Sequence, residues 1–233
     1  MTVLAIETAT AVTAVALVGG DRDAEVVVDR SRRHTEVLAS AIERLLGAWG
    51  HGPHELDGIV VDVGPGLFTG LRVGVATAKG LCIATGVGLH TVTSTDALAE
   101  AAWEHEVAGT VVAVVDARRR EVFTASYRCS PDGVEQIGGV LVESPSDLAA
   151  RLDAMGDDVT LVGDGAVRHF DVLEGGSRTI RGDLDVPSPG AAGRLVLARV
   201  ERGEVAVGHA DVHPWYVREA DAVANFTVRD PGS

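Results

Sequence analysis

The chain has 233 residues, 46% hydrophobic and 23% charged, with 20 Lys+Arg against 34 Asp+Glu and a formal net charge of −14. That length and apolar fraction support one large core or two lobes of roughly a hundred residues each, and they exclude a wholly disordered chain. The negative surface repels nucleic acid and anionic membrane at long range, so any role on RNA is expected to run through a basic partner.

Residues 3–6 are a short apolar run that meets the polar turn Glu7-Thr8-Ala9-Thr10, and residues 12–18 continue as a largely buried strand. After the Gly19-Gly20-Asp21 turn, residues 24–28 complete an expected three-strand meander. Residues 34–49 place Val37, Leu38, Ala41, Ile42, Leu45 and Leu46 at amphipathic helical spacing, closed by Gly50 and Pro53. A strand over 59–63 leads into a glycine-punctuated loop, and a helix is predicted over 71–85 with Thr69 or Gly70 near its N-cap. A strand over 87–92 and a helix from Ser94 through Trp103, with Asp96 in its first turn, follow.

From Thr110 the grammar restarts, with strands over 111–115, 121–127 and 134–142 and the Pro131-Asp132-Gly133 turn. A helix opens at Ser144-Pro145 and runs to about Met155, a strand covers 159–162, and a helix covers 191–200. The second half thus repeats the first structurally, which divides the chain into lobes 1–108 and 109–233. Mixed sheets flanked by helices make it α/β.

Cys82 and Cys129 are too few for a disulfide framework, and Cys82 lies in an apolar run where a buried, inert thiol is expected. The apolar opening lacks a basic n-region and contains Glu7, so it reads as strands rather than a leader. No apolar run approaches the ~20 residues of a membrane helix, and a cytoplasmic setting is expected. Lys79 is the only lysine and Asn225 the only asparagine, a compositional bias without functional meaning.

The strand, glycine loop and helix over 59–85 aim backbone donors and a positive dipole end outward, an anion site in principle. It is neither a Walker loop nor a dinucleotide fingerprint, and a tight packing turn fits the same residues. His209 and His213 have the i, i+4 spacing of helical metal ligands, yet Gly208 and Pro214 argue against a helix there. Neither His54-Glu55 nor His105-Glu106 is followed by the second histidine of a zincin motif. Arg118-Arg119-Arg120 is the best basic run and reads as a solvated turn.

Gly64-Pro65-Gly66-Leu67-Phe68-Thr69-Gly70-Leu71-Arg72-Val73-Gly74, continued by Ala76-Thr77-Ala78-Lys79-Gly80-Leu81, resembles the signature segment of the TsaB (YeaZ) family. Glu7-Thr8-Ala9-Thr10 resembles that family's N-terminal Asp-Thr-Ser-Thr, and Arg33-His34-Thr35-Glu36 with Leu38 resembles its first helix. Pro214-Trp215-Tyr216-Val217-Arg218 resembles its C-terminal Pro-x-Tyr-Leu/Val-Arg. The resemblance is dense over residues 1–100 and sparse until the C-terminal motif. It implies a two-lobed actin-like (ribonuclease H-like) fold, related to sugar kinases, Hsp70 and actin.

In that superfamily the turn matching Glu7, Thr8 and Thr10 faces nucleotide phosphates and magnesium. Ala9 stands for the common glycine and Glu7 for the usual aspartate, so the resemblance implies a vestigial phosphate turn. The catalytic sibling TsaD follows the same glycine loop with Asn-His-x-x-x-His. Here the stretch is Thr93-Ser94-Thr95-Asp96-Ala97-Leu98, with Ser94 and Leu98 at the two histidine positions, so no metal site is implied.

The resemblance therefore implies a non-catalytic subunit without cofactor. It would pair with TsaD and, with the ATPase TsaE, support threonylcarbamoyl transfer to the adenosine beside the anticodon of ANN-decoding tRNAs. A homodimer is expected when TsaD is absent, and tRNA is reached only through the complex. The alternative is an actin-fold small-molecule kinase or metal-dependent hydrolase or glycoprotease using Glu7, Asp62 and Asp116. The partner surface is expected on first-lobe helices, at His34, Leu38 and Ile42 and at Leu71, Val75 and Lys79, with Ala76 and Ala78 permitting close approach. A core reading of both stripes stays open. The glycine loop contributes Gly64, Pro65, Gly66, Phe68, Thr69, Gly70 and Arg72, and the C-terminal motif Pro214, Tyr216 and Arg218.

Overall fold

The computed structural model describes residues 1–20, 23–29, 34–156 and 158–217. Arg33 and Arg218 of the motifs lie outside the described residues. Strands β1 (Thr2–Glu7), β2 (Thr13–Gly19) and β3 (Ala24–Asp29) form an antiparallel meander. Helix α1 (His34–Trp49) then carries the chain to β4 (Gly58–Asp62), parallel to β1. Helix α2 (Phe68–Thr85) carries it to β5 (Gly88–Val92), parallel to β4, giving the sheet order β3-β2-β1-β4-β5.

After α3 (Ser94–Glu104) the pattern recurs with β6 (Gly109–Arg118), β7 (Glu121–Ser130), β8 (Gly133–Glu143), α4 (Pro145–Met155) and β9 (Val159–Val162). Two short helices, α5 (Asp164–Arg168) and α6 (Phe170–Leu173), precede β10 (Arg178–Ile180), and α7 (Pro189–Glu201) follows. The second sheet runs β10-β9-β6-β7-β8, the same arrangement as the first. Two mixed sheets of like connectivity, each flanked by helices, are the actin-like α/β fold.

Central strands here are buried on both faces, which is why β1 and β4 read as continuous apolar runs rather than alternating ones. One face of the first sheet receives the α1 stripe Leu38, Ala41, Ile42, Leu45 and Leu46. The other face is covered by Ala192 and Val196 of α7, and Gly193 lets that helix approach Val18. Helix α3 conversely packs Leu98, Ala99, Ala101 and Ala102 on the second sheet. Each lobe's last helix thus covers the other lobe's sheet. Arg194 pairs with Glu104 of α3 and with Asp23 beside β3, and Arg199 pairs with Asp96 at 3.0 Å.

Helix α2 starts at Phe68, three residues before the predicted start at Leu71, with Leu67 at the N-cap and no side-chain cap. Thr69 and Gly70 are inside the helix. Helices α5 and α6 and strand β10 are additions to the sequence reading. Among the described residues no helix is long and apolar enough to cross a membrane.

The β6–β7 hairpin pairs Arg118 with Glu121, leaving Arg119-Arg120 as a two-residue turn. Arg118, Arg119 and Arg120 have φ of 63°, 53° and 64°. Such turns favour Asn-Gly, and a left-handed non-glycine residue costs about 1–2 kcal/mol.

Candidate functional site

Strands β1 and β4 pair in parallel with Ile6 opposite Val61, so Glu7 and Asp62 follow side by side at the strands' carboxyl ends. Open α/β sheets bind ligands at this position. Both carboxyls are nevertheless buried, Glu7 at 2% and Asp62 at 1% exposure. Asp62 Oδ1 accepts from the Gly64 N–H at 2.7 Å and the Ser94 hydroxyl at 2.9 Å. Glu7 Oε1 accepts from the Ala9 N–H at 2.7 Å. Burial, then the charge of Asp62 and a hydrogen bond to it, push the Glu7 carboxyl well above the ordinary carboxylate range. Burial raises the Asp62 carboxyl as well, and its Oδ2 is buried without a hydrogen-bond partner among the described residues, so the neighbouring pair disfavours two full charges.

The turn beyond Glu7 is filled by protein. Thr8, Ala9 and Thr10 are buried. The Leu67 N–H donates to Ala9 O at 2.6 Å and the Thr8 hydroxyl to Gly70 O at 2.9 Å. A Cβ on Gly66 would overlap the Ala9 carbonyl, one on Gly70 the Thr8 carbonyl, and one on Gly74 the Thr8 hydroxyl. The glycine loop is thus a packing device that brings α2 onto the β1–β2 turn. Its N–H at Leu67, a donor an anion would need, is already engaged.

The C-terminal motif joins this assembly. The Trp215 N–H donates to Val63 O at 2.7 Å, and Val212 is buried in the first-lobe core. The Phe68 and Tyr216 rings lie 4.9 Å apart, and the Arg72 guanidinium sits 3.7 Å over Phe68 while its Nε donates to the Tyr216 hydroxyl at 3.0 Å. Buried Pro65 follows Gly64 through a cis peptide, Thr69 is exposed, and Pro214 is half-buried. Two motifs far apart in sequence are therefore one structure. Ser94, read in the sequence as a helix start and a missing histidine, is the unforeseen member, since it anchors Asp62. Leu98 at the second histidine position is fully buried in the second-lobe core.

The partner-surface expectation needs correction. Leu38, Ile42, Leu71 and Val75 are 1–5% exposed and lie in the lobe's own core. His34 is buried too, with Nδ1 2.7 Å from the Thr13 hydroxyl, and burial lowers its pKa. The sheet takes the most apolar stripe of each helix, which periodicity alone does not reveal. The outward face of α2 carries Ala76, Gly80, Ile83 and Ala84, with Lys79 half-buried beside it, and Ile83 is 68% exposed.

In the second lobe Asp116 N–H donates to Asp164 Oδ1 at 2.9 Å, and the buried Asp116 carboxylate pairs with Arg118 at 2.9 Å and Arg168 at 3.4 Å. Asp116 is therefore engaged by Arg118 of its own strand and by Asp164 and Arg168 of α5. Among the described residues no group of three or more His, Cys, Asp or Glu is arranged to hold a metal ion. His209 and His213 are exposed in irregular chain.

Burial also pushes the Asp164 carboxyl up, to about 6. A folded pKa above the unfolded value gives stability that is complete below the unfolded pKa and is lost as pH rises through the folded one. Unfolding free energy should therefore fall between pH 4 and pH 7, by up to about 3 kcal/mol through Asp164, and further at higher pH through Glu7. Urea unfolding across that range should show the decline, and Asp164→Asn should flatten it. A stability that rises from pH 5 to pH 8 would contradict the assignment.

These features define the class: a two-lobed actin-like protein whose β1–β2 turn is closed by its own glycine loop. A family model described as "TsaD: tRNA N6-adenosine threonylcarbamoyltransferase" matches residues 28–161. The Escherichia coli "tRNA threonylcarbamoyladenosine biosynthesis protein TsaB" is 30% identical over 225 residues, covering 94% of this chain and 95% of that one. An uncharacterized Mycobacterium leprae protein is 41% identical over 151 residues, 63% of this chain, and the match spans 40% of that relative's length. The solved structure "YeaZ from Pseudomonas aeruginosa" superposes with a TM-score of 0.78 at 28% identity, covering 93% of this chain and 99% of that one. The chain belongs to the TsaB (YeaZ) family.

Proposed function

We propose that this chain works in tRNA threonylcarbamoyladenosine biosynthesis as a non-catalytic subunit. It pairs with TsaD and, with the ATPase TsaE, supports threonylcarbamoyl transfer to the adenosine adjacent to the anticodon of ANN-decoding tRNAs. In the absence of TsaD the same face joins two copies. The observation that carries the reading is the phosphate turn itself, buried at Thr8, Ala9 and Thr10 under the glycine loop. A group that transfers or hydrolyses phosphate needs donors and carboxylates open to substrate, and these are packed. What the first lobe does offer is the α2 face of Ala76, Gly80, Ile83 and Ala84, small and apolar enough for a partner helix.

The test is reconstitution. Purified TsaD and TsaE should modify tRNA only when this chain is added, and the chain should co-purify with TsaD. The chain alone should neither release phosphate from ATP nor contain stoichiometric zinc or iron. Turnover by the isolated chain that disappears in Glu7→Ala would replace the reading with the kinase or hydrolase one.

A further inference from the structure

The surface formed by the Arg118–Arg120 hairpin tip and the α5–α6 junction has no part in the reading above. Arg118 on β6 and Arg168 on α5 converge on one oxygen, Asp116 Oδ2, at 2.9 Å and 3.4 Å. Asp116 is 3% exposed while the Arg168 side chain is 57% exposed, so the carboxylate anchors the guanidinium forks from beneath. Each guanidinium has five donors, and those not used on Asp116 remain for an anion outside. Arg119 and Arg120 extend the basic edge into solvent. All three hairpin arginines hold left-handed backbone, where asparagine or glycine serves folding better. Phe170, two residues past Arg168, leaves 46% of its surface exposed, a platform on which a base can stack. Of the nearby acids, Asp116 lies beneath the edge and holds Arg118 and Arg168, and Asp164 accepts from the Asp116 N–H; Arg119 and Glu121 each have a partner. Exposed Asp171 is the opposing charge.

We propose that this edge of the second lobe contacts the phosphodiester backbone of tRNA, with Arg118, Arg120 and Arg168 on phosphates and Phe170 against an unstacked base. The inference rests on the tRNA reading above. A net charge of −14 makes the contact weak in the isolated chain and useful once a partner supplies most of the affinity.

The test uses the full chain and a labelled transcript of an ANN-decoding tRNA, first alone at about 50 mM salt and then with TsaD over a salt series. Wild type alone should bind with a Kd of tens of micromolar or weaker. R119N/R120G should raise Tm by about 5 °C, because it installs the favoured turn, yet weaken tRNA binding at least ~5-fold and lower the salt slope by about one per lost contact. R168Q should weaken binding similarly, and R168K should restore most of it. Unchanged affinity and slope in both variants, alone and with TsaD, would overturn the contact. Displacement of the tRNA from this edge by micromolar ATP would overturn it in favour of a mononucleotide site. Failure to pair with TsaD sinks the proposed function instead, and the low-salt titration of the isolated chain still decides the contact.

Discussion

Ile83→Asp should leave the monomer folded and abolish pairing, whereas Leu71→Asp, on the same helix, should prevent the first lobe from folding. Ile83 is 68% exposed, so a charge there changes monomer stability by no more than about 0.5 kcal/mol. In a complex that same charge is desolvated without a counterion, which costs roughly 3 kcal/mol and weakens pairing about 100-fold. Leu71 is 1% exposed, and its substitution puts an unpaired carboxylate into the core of the isolated chain. Gly80→Ala sharpens the contrast. Among the described residues nothing outside its own stretch of helix lies within 4 Å of the added Cβ, so the monomer gains up to about 1 kcal/mol of helix propensity while close helix approach is hindered. Thermal melts and co-purification with TsaD separate the two effects. A folded Ile83→Asp chain that still pairs with TsaD would move the partner surface off α2.

Gly70→Ala should destabilise the chain by about 3 kcal/mol or more, lowering Tm by about 6–12 °C. The new methyl would overlap the Thr8 carbonyl, a backbone atom that no rotamer change can move aside. Relief requires lifting α2 from the turn, which breaks the Leu67 N–H to Ala9 O and Thr8 hydroxyl to Gly70 O bonds. Differential scanning calorimetry is the measurement. A wild-type Tm in Gly70→Ala would mean that the loop does not close the turn.

The sequence made much of this legible where local signals are long. The α1 bounds, His34–Trp49, were readable because six apolar positions recur at helical spacing and Gly50 ends them. The start of α2 was misplaced because Leu67 occupies the N-cap without a capping side chain, held instead by a carbonyl from a distant turn. Helices α5 and α6 and strand β10 are five, four and three residues long, shorter than the period needed to recognise them. The motif residues at 64–72 and 214–216 were visible as motifs, but their meeting through Arg72 and Tyr216 is tertiary. Burial of Leu38 and Val75 has the same cause: an amphipathic pattern shows a stripe and not what covers it.

The most direct measurement of the central claim is threonylcarbamoyl incorporation into tRNA by a TsaD and TsaE complex assembled with the Glu7→Gln chain. Glu7 is buried and its carboxyl is pushed well above the ordinary carboxylate range, so the neutral amide keeps its shape and the hydrogen bond from Ala9 while removing any acid or base chemistry. A chain that only pairs and supports TsaD should sustain modification within about 2-fold of wild type. A loss of 100-fold or more, with folding and pairing intact, would show instead that this carboxyl takes part in the chemistry.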